Sequence, residues 1–308
     1  MSLELEHKLE RTPVIKYLVK FGKSIKLPWG EGLTLYHLTE LYITGIVKGD
    51  VSYRAGAIAF SFFMSLFPFA LFILNLIPKI PVQGFQADFM QFVQENVPPN
   101  TFYAIKDILD DIMENSYGSL LSTGILLAIL LMSNGMNAIL SGFQSSLHIT
   151  IKRSYFRQYA VAIGLSLMLS VILLITVAAI VTLQVIIEQL KSRGFLTDDV
   201  IYLELGRYAF LILMVLTITS LLFKFAAKET KGAAFFSYGS VFTTILFVIT
   251  SYVFGIYVLR FAQYNKLYGS IGTLLVLMLY IWINCFILLL GFELNALIHK
   301  LKRKNLYI

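Results

Sequence analysis

The run Tyr159–Ile187 reads YAVAIGLSLMLSVILLITVAAIVTLQVII and contains no Asp, Glu, Lys or Arg. A bilayer core of about 30 Å needs about 20 apolar residues in helical form. This segment exceeds that length, so it must tilt or project beyond the membrane. A barrel strand would alternate with period two over about ten residues. The run is continuous and far longer, which makes it a membrane-spanning helix.

Five further runs of the same kind flank it, at about 55–78, 119–147, 208–223, 233–259 and 268–298. The span at 208–223 is the shortest, and Arg207 and Lys224 at its ends can snorkel to the interface. The expectation is an all-α polytopic membrane protein with six transmembrane helices over residues 54–299, and a basic tail at 300–308. Composition agrees. The 308 residues are 57% hydrophobic and 14% charged, with a mean hydropathy of +0.76. Soluble domains carry about 25% charged residues. Here the charges form short islands between the apolar runs, as expected where a mid-bilayer charge costs roughly 3 kcal/mol or more.

The opening residues MSLELEHKLERTP lack a short apolar core with a cleavage site, so no secretory signal peptide is expected. A lone cysteine, Cys285, excludes an internal disulfide and a Cys-based zinc site, and reads as a packing residue. The net charge of +7 would suggest nucleic acid in a soluble protein, but its distribution points to the membrane surface. Summed over alternate sides of the six spans, Lys and Arg number eighteen on the side of the termini and seven on the other. The positive-inside rule then puts both termini in the cytoplasm. The connection after the third span carries as many basic residues as its neighbours and breaks the trend locally.

Outside the spans, residues 1–53 form a basic cytoplasmic segment. Within it Leu35, Leu38, Leu41, Tyr42 and Ile46 recur at helical spacing. This predicts an amphipathic helix, either lying on the inner surface, where basic neighbours favour anionic headgroups, or packed on the underside of the bundle. The connection at about 84–116 predicts a two-helix extracytoplasmic cap. Its first helix has Phe85, Phe89, Phe92, Val93 and Val97 on one face. Pro98 and Pro99 break the chain and Thr101 caps the second, which carries Asp107, Asp110, Asp111 and Glu114 on a solvated face.

Polar residues inside the apolar runs fall on faces. In the second span Ser133, Asn137, Ser141, Gln144 and His148 are spaced by three or four. In the sixth, Tyr280, Asn284, Gly291 and Asn295 share a face; in the fifth, Ser237, Ser240, Thr244, Ser251 and Gly255 do. In the first, Ser61, Ser65 and Asn75 align with Pro68, whose missing N–H leaves a carbonyl unpaired and kinks the helix. Small and amide residues can serve as glue between helices. Several stripes converging on one polar cavity is the functional reading, because unpaired polar groups in lipid cost free energy. Arg54 and Glu293, both near cytoplasmic span ends, are candidates for an ion pair or gate.

Two motifs at the ends of the span domain then stand out. Arg54-Ala55-Gly56-Ala57-Ile58-Ala59-Phe60 with Ser65-Leu66-Phe67-Pro68 is one. The other is Tyr268-Gly269-Ser270-Ile271-Gly272 leading to Leu289-Leu290-Gly291-Phe292-Glu293-Leu294-Asn295-Ala296. Together they resemble the signatures of the YihY/BrkB family of bacterial inner-membrane proteins, and Asn134–Arg157 resembles its second span and basic loop. The resemblance covers roughly residues 35–300. It departs in the loop at 224–232, where family members often carry a proline. It implies six spans in the plasma membrane and no secure activity; the family has carried ribonuclease and serum-resistance labels.

Ribonuclease chemistry needs clustered ligands or acid–base groups beside a basic groove. His7, His37, His148 and His299 show no metal-binding spacing, and Asp110-Asp111 and Asp198-Asp199 fall on the predicted outer side. No catalytic residue, metal or cofactor is expected, and there is no P-loop. The reading is therefore a transporter, or a lipid- or amphiphile-translocating protein, with a polar intramembrane cavity. The alternative is a structural or assembly membrane protein without transport. The expected partners are membrane lipids, chiefly anionic headgroups on the cytoplasmic side. A second copy of the chain would fit the small-residue faces, and nucleic acid is not a partner.

Overall fold

A computed structural model describes residues 23–24, 34–77, 80, 84–96, 106, 110, 121–192, 201–226, 234–261 and 270–305. Among these residues eight helices follow in order: α1 Leu35–Lys48, α2 Val51–Leu76, α3 Phe85–Asn96, α4 Leu121–Gln144, α5 Tyr155–Ser192, α6 Ile201–Ala226, α7 Tyr238–Phe261 and α8 Ser270–Asn305. Six of them contain stretches long and apolar enough to cross a membrane: Val51–Leu76, Gly124–Gln144, Tyr155–Leu183, Tyr208–Ala226, Tyr238–Val258 and Leu274–Leu301. The protein is an all-α polytopic membrane protein. Its outward residues agree with that. Val171 and Ile175 on α5, and Ile245, Ile249 and Val253 on α7, lie exposed one helical turn apart, as side chains facing acyl chains must.

Helix ends differ from those read in the sequence, each for a local reason. The first span starts at Val51 rather than about residue 55, because the chain turns at Gly49-Asp50. Asp50 takes φ 48°, a conformation Asp tolerates, and its carbonyl accepts from Arg54 N at 3.0 Å. Arg54 is thus inside the helix. The second span stops at Gln144, not Leu147: Ser146 N bonds Phe143 O at 3.1 Å in a tightened turn. The fifth begins at Tyr238 rather than 233, because Ser237 caps it. Ser240 N donates to Ser237 Oγ at 3.2 Å and Ser237 N to Ser240 Oγ at 3.0 Å, a reciprocal arrangement that satisfies two donors. The fourth and sixth helices outrun their apolar segments.

The described residues divide into two compact units. The first takes in those of Met1–Phe60, Ala138–Ser154 and Thr219–Ile308; the second takes in Ser61–Asn137 and Tyr155–Ile218. In the first, α7 packs along α8 and α1 lies on α8. The α7–α8 crossing is close: a Cβ on Gly239 would stand 2.3 Å from Gly291 O, and one on Gly291 would stand 1.7 Å from Thr243 Oγ1. Only glycines permit it. Phe143 stacks on Phe292 beside this crossing, centroids 4.4 Å apart, and Phe223 meets both rings edge-on.

In the second unit α3 packs on α5. Gly84 turns the chain into α3 with φ 79°, and Phe85 and Phe89 bury against Ile77 and Val181. Val93 joins them, while the Phe92 side chain, Val97 and nearly all of the expected second cap helix lie outside the described residues. A separate cluster joins Phe72, Ile73 and Met132. Pro68 sits within an unbroken α2; having no N–H, it cannot bond the Met64 carbonyl.

Candidate functional site

In the first unit three elements meet in layers. A Cβ on Gly142 of α4 would stand 2.4 Å from Ile58 of α2 and 3.5 Å from Leu289 of α8. One turn further along each helix come Arg54, the turn after α4, and Glu293. Close packing in the first layer therefore sets the polar groups of the second against one another. Arg54 Nη2 donates to Glu293 Oε1 at 2.5 Å, and Ser146 Oγ donates to Oε2 at 2.6 Å. Ser146 Oγ in turn accepts from His148 N at 3.2 Å. His148 Nε2 stands 4.0 Å from Glu293 Oε2, beyond a hydrogen bond but well within electrostatic reach.

This group is buried. Glu293 is 0% exposed and Arg54 9%. Arg54 Nε and Nη1, Gln144 Nε2 and both ring nitrogens of His148 have no hydrogen-bond partner among the described residues. Burial lowers the His148 pKa from its ordinary value; the Glu293 carboxylate opposes that shift and Lys300 adds to it. Tyr42 of α1 closes over α8, its hydroxyl donating to Leu290 O at 2.9 Å. Burial first, and Glu293 second, push its pKa up, so it remains a neutral donor.

The stripes read from the sequence separate into three kinds. Of the second-span stripe only His148 joins this group, and not from a helical face: α4 ends at Gln144, and His148 approaches Glu293 from the following turn. Gln144 Oε1 accepts from Arg153 N at 3.0 Å, and Arg153 Nη1 donates to Phe225 O at 2.5 Å, tying the basic loop to the end of α6. Asn137 belongs to the second unit, where its Oδ1 accepts from Gln158 Nε2 at 2.8 Å. Beside it the Tyr159 hydroxyl lies 3.1 Å from both Leu130 O and Asn134 Oδ1.

Other candidates bond their own helices. Ser133 donates to Ile129 O, Ser65 to Phe62 O, Asn75 to Leu71 O and Asn284 to Tyr280 O. The Tyr280 hydroxyl lies 3.0 Å from Ser251 Oγ. Ser61 is half-buried, Ser141 is exposed, and Asn295 is buried at the Gly239 crossing. Sequence reasoning missed Ser146, Gln158 and Tyr42. Ser146 lies past a helix end, where a three-to-four spacing loses its meaning. Gln158 was legible as a lone amide in the first turn of an apolar helix.

Comparison with known proteins gives the chain its family. The chain is 29% identical over 255 residues to the ribonuclease-like protein YfkH of Bacillus subtilis, covering 81% of this chain and 90% of that protein. It is 24% identical over 248 residues to a UPF0761 membrane protein of Coxiella burnetii, covering 78% and 85%. It is 22% identical over 264 residues to one from Aeromonas salmonicida, covering 84% and 88%. No solved structure matches. The family model described as virulence factor BrkB matches residues 42–306, a range that holds Tyr42, Arg54, Ser146, His148 and Glu293 alike, and the chain therefore belongs to the BrkB family.

Proposed function

We propose that this protein is a transporter that moves a lipid or another amphiphile across the bacterial plasma (inner) membrane, with both termini in the cytoplasm. Glu293 carries the reading. It is a carboxylate without exposed surface inside a span, held by Arg54 and Ser146. A charge at such depth is costly, and intramembrane ionisable groups mark pathways and relays by default. A scaffold would gain the same cohesion from apolar residues of similar volume. The Lys and Arg bias supports the orientation. Lys152, exposed in the loop after α4, and Lys300, exposed late in α8, suit anionic headgroups.

A structural or assembly role is the second reading, and the glycine crossing of α7 and α8 favours it, since close backbone approach is how spans cohere. The ribonuclease-like name belongs to YfkH; among the described residues no group of three His, Cys, Asp or Glu is placed to hold a metal ion. The test is reconstitution of the full chain into vesicles carrying a fluorescent anionic phospholipid, with transbilayer movement read by quenching from outside. The transport reading expects faster movement than in protein-free vesicles, largely removed by Glu293→Gln. Folded protein that leaves the rate at the protein-free level overturns it.

A further inference from the structure

The polar group around Glu293 is closed to molecules. Glu293 is 0%, Ser146 4% and Arg54 9% exposed, and the His148 side chain is 9% exposed. A ligand with volume could enter only by parting α2, α8 and the turn after α4. A proton needs no cavity. We infer that His148 and Glu293 form a proton-binding site, in which one proton taken by His148 Nε2 draws the imidazolium onto Glu293 Oε2 and fastens the α4–α5 loop to α8.

The geometry supplies each part. A carboxylate has about four acceptor sites, and Arg54 and Ser146 occupy one each. A third donor can therefore join without displacing either. His148 Nε2 is 4.0 Å from Oε2, so a shift of about 1 Å makes a charge-assisted bond. The nitrogen lone pair accepts the proton, and the new N–H points at the carboxylate. The other groups around the pair are Arg54 from α2, Tyr42 from α1, Lys300 along α8 and Ser146 from the same turn as His148. α6 brings the ring of Phe223 against Phe292, and α7 approaches through Gly239 at Gly291. Arg54 and Lys300 oppose the proton and Glu293 attracts it. Burial holds the imidazole neutral near neutral pH, so the site fills on acidification. Ser146 and His148 both sit in the turn leaving α4, which makes that turn the element a proton would pin.

As a coupling site for transport this inference rests on the function proposed above; as a proton site it stands alone. The experiment is a pH titration of the full chain in nanodiscs with 13C-labelled histidine, the His148 resonance being assigned by its loss in His148→Gln. The resonance should titrate below the ordinary histidine midpoint of about 6.5. Glu293→Gln should lower the midpoint by about one pH unit or more, the effect of an opposite charge at this range. Ser146→Ala takes a donor from Oε2, leaves more of its charge facing the ring, and should raise the midpoint. A His148 resonance that fails to titrate between about pH 4 and 8, a range bracketing the ordinary midpoint, overturns the inference. So does a midpoint that ignores both variants. If Glu293→Gln does not fold, the direction of the Ser146→Ala shift decides. The titration uses no lipid substrate: a site that titrates in a protein that moves no lipid keeps this inference and sinks the transport reading.

Discussion

The two units of the molecule satisfy the same kinds of polar side chain in different ways. In the first, Arg54, Ser146 and Tyr42 reach across to α8, and Arg153 reaches α6. In the second, Ser166 donates to Ala162 O, Ser170 to Ser166 O, Thr176 to Ile172 O and Thr217 to Leu213 O, each four residues back on its own helix. A hydroxyl that closes on its own helix needs no partner and can tolerate any neighbour. One that bonds another helix fixes a register. The difference separates polar residues that merely survive in hydrocarbon from those that specify an arrangement.

The comparison breaks first, if it breaks, at Arg54 and Glu293. Removing one partner leaves a buried charge uncompensated, which costs about 3–5 kcal/mol, whereas replacing both by apolar residues of similar volume is often neutral. Arg54→Met and Glu293→Leu should each lower the melting temperature sharply and broaden the elution profile in detergent. The double variant should recover most of the loss. A Glu293→Leu variant that melts like the parent would mean the pair specifies nothing.

The glycines sharpen the same contrast. Gly291→Ala in the first unit drives a Cβ to 1.7 Å from Thr243 Oγ1 and 2.9 Å from Gly239 O. Overpacking of this kind costs about 1–3 kcal/mol. Gly164→Ala in the second unit meets nothing within 4 Å, and should be neutral or stabilising by about 0.5–1 kcal/mol because glycine is a poor helix former. Thermal melts of the two variants in the same nanodiscs should move in opposite directions. Next in size is one of the bonds between helices that the second unit does contain, beside those of the Tyr159 hydroxyl to α4. Gln158→Leu removes a bond from α5 to Asn137 of α4 and should cost about 1 kcal/mol, with Asn137→Leu largely repaying it in the double variant.

The fold was largely legible because its cause acts one residue at a time: hydrocarbon excludes charge, so the absence of Asp, Glu, Lys and Arg from Tyr159–Ile187 was enough to place a span. The site was legible only in part. Arg54 and Glu293 could be named because a charge in an apolar run demands an explanation wherever it sits. His148 was found by a spacing that the helix does not keep, since α4 ends at Gln144. Ser146 and Tyr42 could not be found, because a turn's direction and a crossing's register depend on packing between segments distant in sequence. Asn75 and Asn284 carried no signal that they would bond carbonyls four residues back, since an amide on a helix can do either.

The smallest expected effect is the most exacting check on the contrast. Ser166 and Ser170 are 2% and 1% exposed, so burial alone would mark both as important. Their hydroxyls bond Ala162 O and Ser166 O at 2.8 Å, carbonyls that α5 already uses in its own ladder. Losing such a bond strands no donor elsewhere, and alanine is the better helix former. Ser166→Ala and Ser170→Ala should therefore change stability by less than about 0.5 kcal/mol each, and the double variant by the sum. Ser146→Ala, equally buried at 4%, removes a donor from a charged carboxylate and should cost about 1.5–3 kcal/mol. Side-by-side melts of Ser146→Ala and the Ser166/Ser170 double variant decide whether the partner, rather than the depth of burial, sets the worth of a hydroxyl in this protein; equal shifts would show that it does not.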